Sequence, residues 1–202
     1  QGESGVWPAT DAFLRELREL TRRRGLLLIA DEIQTGVGRT GQLWGYQASG
    51  VEPDIMTLGK HLGGGVPAAA LVTTNELCVF EPGDQGGTFN GSALICAVVS
   101  AVLRTVVAPA FLEQVRENGG YLRQRLQELS AKHGHGEVRG RGLLLALALR
   151  ELSGPAVVQA ASDRGLLVNS PRGDSLRFVP ALNVSRGEID EALSVLDVVL
   201  AR

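Results

Sequence analysis

Hydrophobic and polar residues alternate along the chain in blocks that predict helices and strands in turn. Apolar residues at helical spacing follow Thr10, and an arginine-rich turn and Gly25 end that block, so it predicts a capped amphipathic helix. Short unbroken apolar runs at 26–30 and 54–58 predict buried strands of a parallel sheet. A further run at 68–73 predicts a strand that turns back after a glycine cluster.

The pattern changes near residue 107. An apolar helix is predicted from 92 to 107, and a charged amphipathic helix over 110–131 follows it. The later predicted elements are strands at 143–149, 166–168 and 175–179, a helix at 154–164, and a last helix over 185–200 that Ser185 and Glu188 open as a capping box. We therefore predict two domains, an α/β domain over 1–107 and a small α+β domain over 108–202.

Composition narrows the class of protein. Of the 202 residues, 44% are hydrophobic and 21% are charged, which allows a substantial core and argues against disorder. The net charge of −2, with both signs interspersed, argues against binding to nucleic acid or to a membrane surface. Cys78 and Cys96 lack metal-ligand spacing and lie in apolar surroundings, so we interpret them as reduced core residues of a cytoplasmic protein.

Two of the predicted strands end in residues of opposite charge. Asp31 follows the run at 26–30, and Lys60 follows the run at 54–58. Because ligands of such sheets bind beyond the carboxyl ends of the strands, we expect both residues to face one ligand. A desolvated lysine can form a Schiff base and a buried carboxylate can keep a ring nitrogen protonated, which is what pyridoxal phosphate requires. On position alone, a helix-capping Asp31 and a solvated or phosphate-binding Lys60 remain alternatives.

Two polar residues nearby are weaker candidates. Thr88 follows Gly86 and Gly87, where its hydroxyl and the neighbouring N–H groups suit a phosphate, although an ordinary turn threonine is equally compatible. Gln34 lies three residues after Asp31 and is either a ligand or a surface polar residue.

Taken together, these segments resemble the class III aminotransferases, which are pyridoxal-phosphate enzymes of fold type I. The resemblance rests on ADEIQTGVGRTG at 30–41, GVEPDI at 50–55, LGKHLGGG at 58–65, GTF at 87–89 and QGESGV at 1–6. GLLVNSPR at 165–172 and LRFVPALNV at 176–184 are similar to the acetylornithine branch. One departure is Asn90-Gly91-Ser92-Ala93, where the family usually has a proline-containing run. Family members are longer, so the resemblance implies the later half of the fold, without its main phosphate loop.

The resemblance implies roles for the four cofactor candidates. Lys60 would bind pyridoxal phosphate covalently and move the proton between substrate and cofactor, and Asp31 would pair with the pyridine nitrogen. Gln34 would lie beside the phenolic oxygen of the ring, and Thr88 would contact the phosphate from the partner subunit of a homodimer.

The resemblance also implies a substrate site and a reaction. Arg177 would bind a substrate carboxylate through its planar fork, and Glu3 would pair with Arg177 and swing aside. The implied reaction transfers the terminal amino group of N-acetylornithine to 2-oxoglutarate, in arginine biosynthesis. Ornithine, succinylornithine and 4-aminobutyrate transaminases share the fold and remain alternatives, as does a truncated, non-catalytic subunit or interaction module.

Overall fold

The computed structural model describes residues 1–201 and divides into two compact units. The N-terminal unit comprises Ala9–Gly38 and Gln42–Leu112, and the C-terminal unit comprises Gln1–Pro8, Arg39–Gly41 and Glu113–Arg202. A single cut in the chain does not describe this division, because the first eight residues belong with the later part of the chain. The predicted domain boundary at about residue 107 stays a prediction.

The N-terminal unit places helices around a three-stranded sheet. Its elements are α1 (Asp11–Arg24), β1 (Ile29–Asp31), β2 (Ile55–Leu58), β3 (Ala70–Thr73) and α2 (Ala93–Val106), with short 3-10 turns at Gly45–Ser49, Lys60–Gly63 and Asn75–Leu77. The strand order is β1-β2-β3, with β1 parallel and β3 antiparallel to β2. The predicted caps of α1 are confirmed, since the Thr10 side chain accepts a hydrogen bond from the Phe13 N–H and Gly25 ends the helix in a left-handed conformation.

Three predictions for this unit are wrong. The first strand begins at Ile29 rather than at Leu26, and β1 is largely exposed instead of buried. β3, for which burial was not predicted, is exposed as well. Cys78 and Cys96 are free thiols, as predicted, but both are exposed rather than part of a core. The apolar character of these segments therefore reflects surface that this chain leaves uncovered.

The C-terminal unit contains a second three-stranded sheet and most of the buried apolar residues. Its elements are α3 (Pro109–His133, the first turn of which lies in the other unit), β4 (Val138–Arg141), β5 (Leu144–Ala148), α4 (Gly154–Ser162), β6 (Ser175–Phe178) and α5 (Arg186–Leu200). The sheet is antiparallel throughout, in the order β4-β5-β6. The predicted capping box of α5 is confirmed, with Ser185 and Glu188 bonded reciprocally.

The strand predictions for this unit need two corrections. β4 was not predicted, because its sequence, VRGR, contains two arginines and a glycine and shows no apolar run. No strand forms at 166–168, where the chain makes only an isolated bridge between Asn169 and Arg177.

Among the described residues, no single helix is long and apolar enough to cross a membrane, and α2 and α3 meet that length and composition only as a bent pair.

Candidate active site

The carboxyl ends of β1 and β2 bring Asp31 and Lys60 to the same edge of the sheet. Asp31 is the last residue of β1 and is paired in parallel register with Thr57 of β2, and Lys60 follows Thr57 by three residues. The expected desolvation of Lys60 and burial of Asp31 are not found, because both side chains are exposed in this chain. A primary amine and a carboxylate therefore stand at neighbouring strand ends, as predicted from the two apolar runs.

Lys60 has an unusual backbone conformation. Its φ of 43° lies in the left-handed region, which a residue with a Cβ rarely adopts, and the residue opens the 3-10 turn Lys60–Gly63 directly after β2. Helix α2 packs against this turn so closely that a Cβ at Gly64 would lie 2.6 Å from the Val102 side chain. Strained residues of this kind are concentrated at functional sites, and here the strain is maintained by packing.

Asp31 does not cap a helix. Its Oδ1 accepts a hydrogen bond from the Ile33 N–H at 3.0 Å, and the residues that follow form turns up to Thr40 rather than a helix. The carboxylate is thus held by a local turn with its outer surface open to a ligand. Gln34 lies half-buried in the same turn.

Glu32 supports this turn and was missed by sequence reasoning. Its buried carboxylate accepts hydrogen bonds from the Gly45 and Tyr46 N–H groups, both at 2.8 Å, and from the Thr35 hydroxyl at 2.5 Å. Gly45 allows this approach, since a Cβ there would lie 3.1 Å from the Glu32 carboxylate. Two of the three donors are 13 and 14 residues away, so no local spacing reveals the role of this acid.

Thr88 lies in an exposed turn that precedes α2. The turn closes with a hydrogen bond from the Asn90 N–H to the Gly87 carbonyl, at 3.1 Å. Thr88 is exposed, so its hydroxyl is accessible to a ligand.

Arg177 and Glu3 form an ion pair in the C-terminal unit. Arg177 lies on β6, its Nη1 donates to Glu3 Oε1 at 2.6 Å, and the two side chains are 15% and 67% exposed. The Nε of Arg177 is buried and, within residues 1–201, has no hydrogen-bond partner. Arg18 and Arg39 also bury an unpartnered Nε, so this feature alone does not mark a binding site. The planar fork of Arg177 beside an exposed acid is nevertheless compatible with a further anionic group, such as a carboxylate.

Arg39 is a second buried ion that the sequence did not indicate. Its Nη1 donates to the carbonyls of Leu143, at 3.2 Å, and Pro180, at 2.6 Å, and burial lowers the pKa of Arg39 to about 10. The guanidinium remains protonated at neutral pH. It ties the Arg39–Gly41 segment to the chain that leaves β6, and so supports the region of Arg177.

The chemistry of the strand-end pair fits pyridoxal phosphate. An amine that can bond to an aldehyde and a carboxylate that can pair with a protonated ring nitrogen lie on adjacent parallel strands, and the amine is exposed to a ligand. No group of three or more His, Cys, Asp or Glu side chains among the described residues is placed to hold a metal ion.

Sequence comparison gives one family and many close relatives. Residues 1–200 match the family described as aminotransferase class-III. The acetylornithine aminotransferase of Ralstonia nicotianae is 53% identical over 99% of this chain and 51% of its own length. The acetylornithine aminotransferase 2 of Bordetella parapertussis is 51% identical over 100% of this chain and 52% of its own length. The chain therefore spans about half the length of these curated relatives.

Solved structures agree with the sequence comparison. Ornithine delta-aminotransferase of Plasmodium falciparum superposes with a TM-score of 0.92 at 30% identity, over 99% of this chain and 52% of that one. Acetylornithine aminotransferase from Elizabethkingia anophelis gives a TM-score of 0.91 at 34% identity, over 99% of this chain and 54% of that one. The predicted α/β fold of the fold-type-I enzymes is thereby confirmed for the part of the fold that this chain covers.

Proposed function

Because the chain belongs to the class III aminotransferase family, we propose that the protein transfers the terminal amino group of N-acetylornithine to 2-oxoglutarate. The observation that carries the proposal is the placement of Lys60 and Asp31 at the carboxyl ends of neighbouring parallel strands. The choice of donor is supported by acetylornithine aminotransferases that are 53% and 51% identical to this chain.

Pyridoxal phosphate is the proposed cofactor, and four residues would hold it. Lys60 would bind its aldehyde carbon, Asp31 its ring nitrogen, Gln34 the side of its phenolic oxygen and Thr88, from a second subunit, its phosphate. When bound, the cofactor supplies an aldehyde that combines with amines and a ring that accepts the electrons released when a substrate C–H bond breaks. The exposed amine of Lys60 and the turn-held carboxylate of Asp31 support this assignment.

Lys60 would have a second role after the substrate displaces it. Its Nζ, then a free amine, would take a proton from the substrate carbon and return it to the cofactor. A short 3-10 turn packed against α2 keeps the base of this side chain fixed, which favours proton transfer at one position.

Arg177 would bind a substrate carboxylate, and Glu3 would compete with that carboxylate. A guanidinium with one nitrogen paired to an exposed acid, and with no acceptor for its Nε among the described residues, supports this role. We further propose a cytoplasmic homodimer that acts in arginine biosynthesis. The names of the acetylornithine relatives support the pathway.

The chain makes a direct test simple, because Lys60 and Lys132 are its only lysines. The purified protein would be incubated with pyridoxal phosphate, reduced with borohydride and digested for mass spectrometry. We expect the pyridoxyl group on Lys60 and not on Lys132, an exposed residue paired with Asp197 that serves as an internal control. Lys60→Ala is expected to abolish both the label and transamination without unfolding the protein, because a covalent catalyst is lost.

The donor is tested in the same preparation. We expect N-acetylornithine to give a higher kcat/KM than ornithine, succinylornithine or 4-aminobutyrate, with 2-oxoglutarate as acceptor. Normal turnover by Lys60→Ala would contradict the catalytic assignment, and a preference for ornithine would contradict the assigned substrate alone.

A further inference from the structure

Three residues on the three strands of the C-terminal sheet share one register. Ala146 of β5 is paired with Arg139 of β4 on one side and with Arg177 of β6 on the other. Paired residues of neighbouring strands project from the same face of a sheet. Arg139, Ala146 and Arg177 therefore form a row across that face, with a small residue between two arginines.

The first seven residues form a closed loop that belongs to this unit. A backbone hydrogen bond from the Trp7 N–H to the Gln1 carbonyl, at 3.3 Å, closes the loop, so that Glu3 lies in the turn between them. Val6 is 3% exposed and clusters with Leu144 and Ala146. The apolar side chain of Val6 thus packs the loop against the sheet at Ala146, between Arg139 and Arg177.

Arg139 holds the same loop from one side. Its Nε and Nη2 both donate to the Gly5 carbonyl, at 3.1 and 3.0 Å, and its guanidinium carbon lies 3.9 Å from the centre of the Trp7 ring. The side chain is only 11% exposed, and its Nη1 also donates to Glu137 at 3.2 Å. A fork on a carbonyl combined with stacking on an indole is a defined geometry that a lysine could not reproduce.

The loop needs this support because its backbone is strained. Gly5 has a φ of 98°, and Val6 has a φ of 56°, a conformation that a β-branched residue seldom adopts. Gly5 also leaves little free space, since a Cβ there would lie 3.2 Å from Arg139 Nη2. Without Arg139 and the burial of Val6, this conformation is expected to relax and to carry Glu3 away.

We propose that Arg139 is a positioning residue that holds Glu3 against Arg177 and thereby sets the affinity of Arg177 for a dicarboxylate. The inference rests on the proposed carboxylate-binding role of Arg177. Glu3 is mostly exposed, and an exposed ion pair contributes little unless its partners are held in place. By fixing the loop, Arg139 keeps the local concentration of the Glu3 carboxylate at Arg177 high, so that a substrate carboxylate must displace it.

The test is a double-mutant cycle with glutarate as the probe. Binding of glutarate to the purified protein would be measured by calorimetry for the wild type, Glu3→Gln, Arg139→Met and the double variant. We expect Glu3→Gln and Arg139→Met each to tighten glutarate binding roughly three- to fivefold, as loss of an exposed ion pair implies. In the Glu3→Gln background, Arg139→Met is expected to change nothing further, because its effect passes through Glu3.

If Arg139→Met changes the affinity for glutarate equally in the wild-type and Glu3→Gln backgrounds, or in neither, then Arg139 does not act through Glu3. Either result would overturn the proposal. Arg150→Met, which removes an exposed arginine of the same unit, is the matched control and should leave binding unchanged. If Arg139→Met does not fold, Trp7→Ala replaces it, since this half-exposed ring can be removed without opening the core. Trp7→Ala is expected to give a smaller tightening that again vanishes in the Glu3→Gln background, and equal effects in both backgrounds overturn the proposal.

Hydrogen exchange separates this proposal from the proposed function. Arg139→Met should accelerate amide exchange in residues 2–7, while Glu3→Gln should leave it as in the wild type, whether or not glutarate binds. Unchanged exchange in Arg139→Met would overturn the positioning role. Failure of every variant to bind glutarate, with accelerated exchange in Arg139→Met, would instead remove the carboxylate role of Arg177 and leave Arg139 as the holder of the loop.

Discussion

Lys60 and Arg177 are both held in local arrangements that cost stability. Lys60 has a left-handed backbone, and Arg177 buries an Nε that has no acceptor among the described residues. Each arrangement persists because the surrounding packing enforces it, and each is of a kind that is concentrated at binding and catalytic sites. These two local features coincide with residues that the sequence analysis had named, Lys60 from its position after a predicted strand and Arg177 from the family resemblance.

Asp31 is expected to matter through its charge rather than through its hydrogen bond to the backbone. Asp31→Asn preserves the shape of the turn but removes the anion proposed to face the ring nitrogen. Pyridoxal phosphate should remain bound, while proton abstraction from glutamate slows by a factor of about 10²–10³, or ~3–4 kcal/mol, in the range of other electrostatic catalytic contributions. Stopped-flow half-reactions measure this, with the exposed Asp84→Asn as control. If the rate of the half-reaction with glutamate is unchanged in Asp31→Asn, then Asp31 has only a structural role, as the acceptor of a hydrogen bond from the Ile33 N–H.

At the scale of elements, one carboxylate ties together the segments that place Lys60 and Asp31. Asp54, just before β2, accepts a two-pronged ion pair from Arg18 of α1 at 2.5 and 2.7 Å. It also accepts the Leu28 N–H, just before β1, at 2.7 Å. The Leu28 carbonyl in turn accepts from the N–H groups of Asp54 and Ile55. Alignment of the two strand ends therefore depends on a cluster at their opposite ends.

The pH dependence of stability should report this cluster. The hydrogen bond from Arg18, followed by that from the Leu28 N–H, lowers the pKa of Asp54 to about 2, against about 4 in an unfolded chain. A lowered folded-state pKa stabilises the protein above pH ~4, and this contribution is lost as the pH falls from ~4 to ~2. We expect Asp54→Asn to lower the free energy of unfolding by about 2 kcal/mol at pH 6. This loss relative to the wild type should shrink toward pH 2, where Asp54 becomes protonated in the wild type.

Urea unfolding of both proteins at a series of pH values measures that difference. Asp163→Asn, which alters an acid at the end of α4 in the other unit, is the control and should shift stability little at any pH. If the free energies of unfolding of Asp54→Asn and the wild type instead differ by the same amount at every pH down to 2, then the ion pair with Arg18 does not keep Asp54 ionised.

At the scale of the whole molecule, buried and exposed apolar residues are unevenly distributed. All but one of the largest fully buried side chains lie in the C-terminal unit, where β5 is buried at four of its five positions. The N-terminal unit instead exposes many large apolar side chains, among them Leu26, Leu27, Ile29, Leu71, Val72, Val79, Phe80, Phe89 and Leu94. A surface of this composition exceeds what an isolated monomer normally exposes.

We therefore expect the isolated 202-residue chain to self-associate at micromolar concentration, as measured by sedimentation velocity. Leu94→Gln, on the exposed face of α2, should weaken association because it interrupts this apolar surface. Leu167→Gln changes a leucine of the other unit that is 88% exposed, against 73% for Leu94, and is the matched control. A chain that stays monomeric at all concentrations would contradict the expected self-association. Equal effects of the two substitutions would show that association does not depend on the exposed apolar side chains of the N-terminal unit.

The elements that the sequence predicted well are those with short-range causes. The caps of α1 and α5 depend on side chains within one turn of the helix, and the strand ends at Asp31 and Lys60 depend on short apolar runs. β4 was missed because its pairing with the buried β5, rather than its own apolar residues, makes it a strand. The exposed cysteines were misjudged because an apolar segment can lie at an uncovered surface as well as in a core.

The sequence by itself determined the family, the fold and the order of the candidate groups along the chain, because motifs and caps act over a few residues. The tertiary structure alone decided which distant groups meet. Glu3 reaches Arg177 across 174 positions and Arg139 reaches Gly5 across 134, while Glu32 is buried by donors from another loop. Such contacts follow from which strands are neighbours and in what register, and hydrogen bonds require positions accurate to a few tenths of an ångström. No local pattern of residues contains that information.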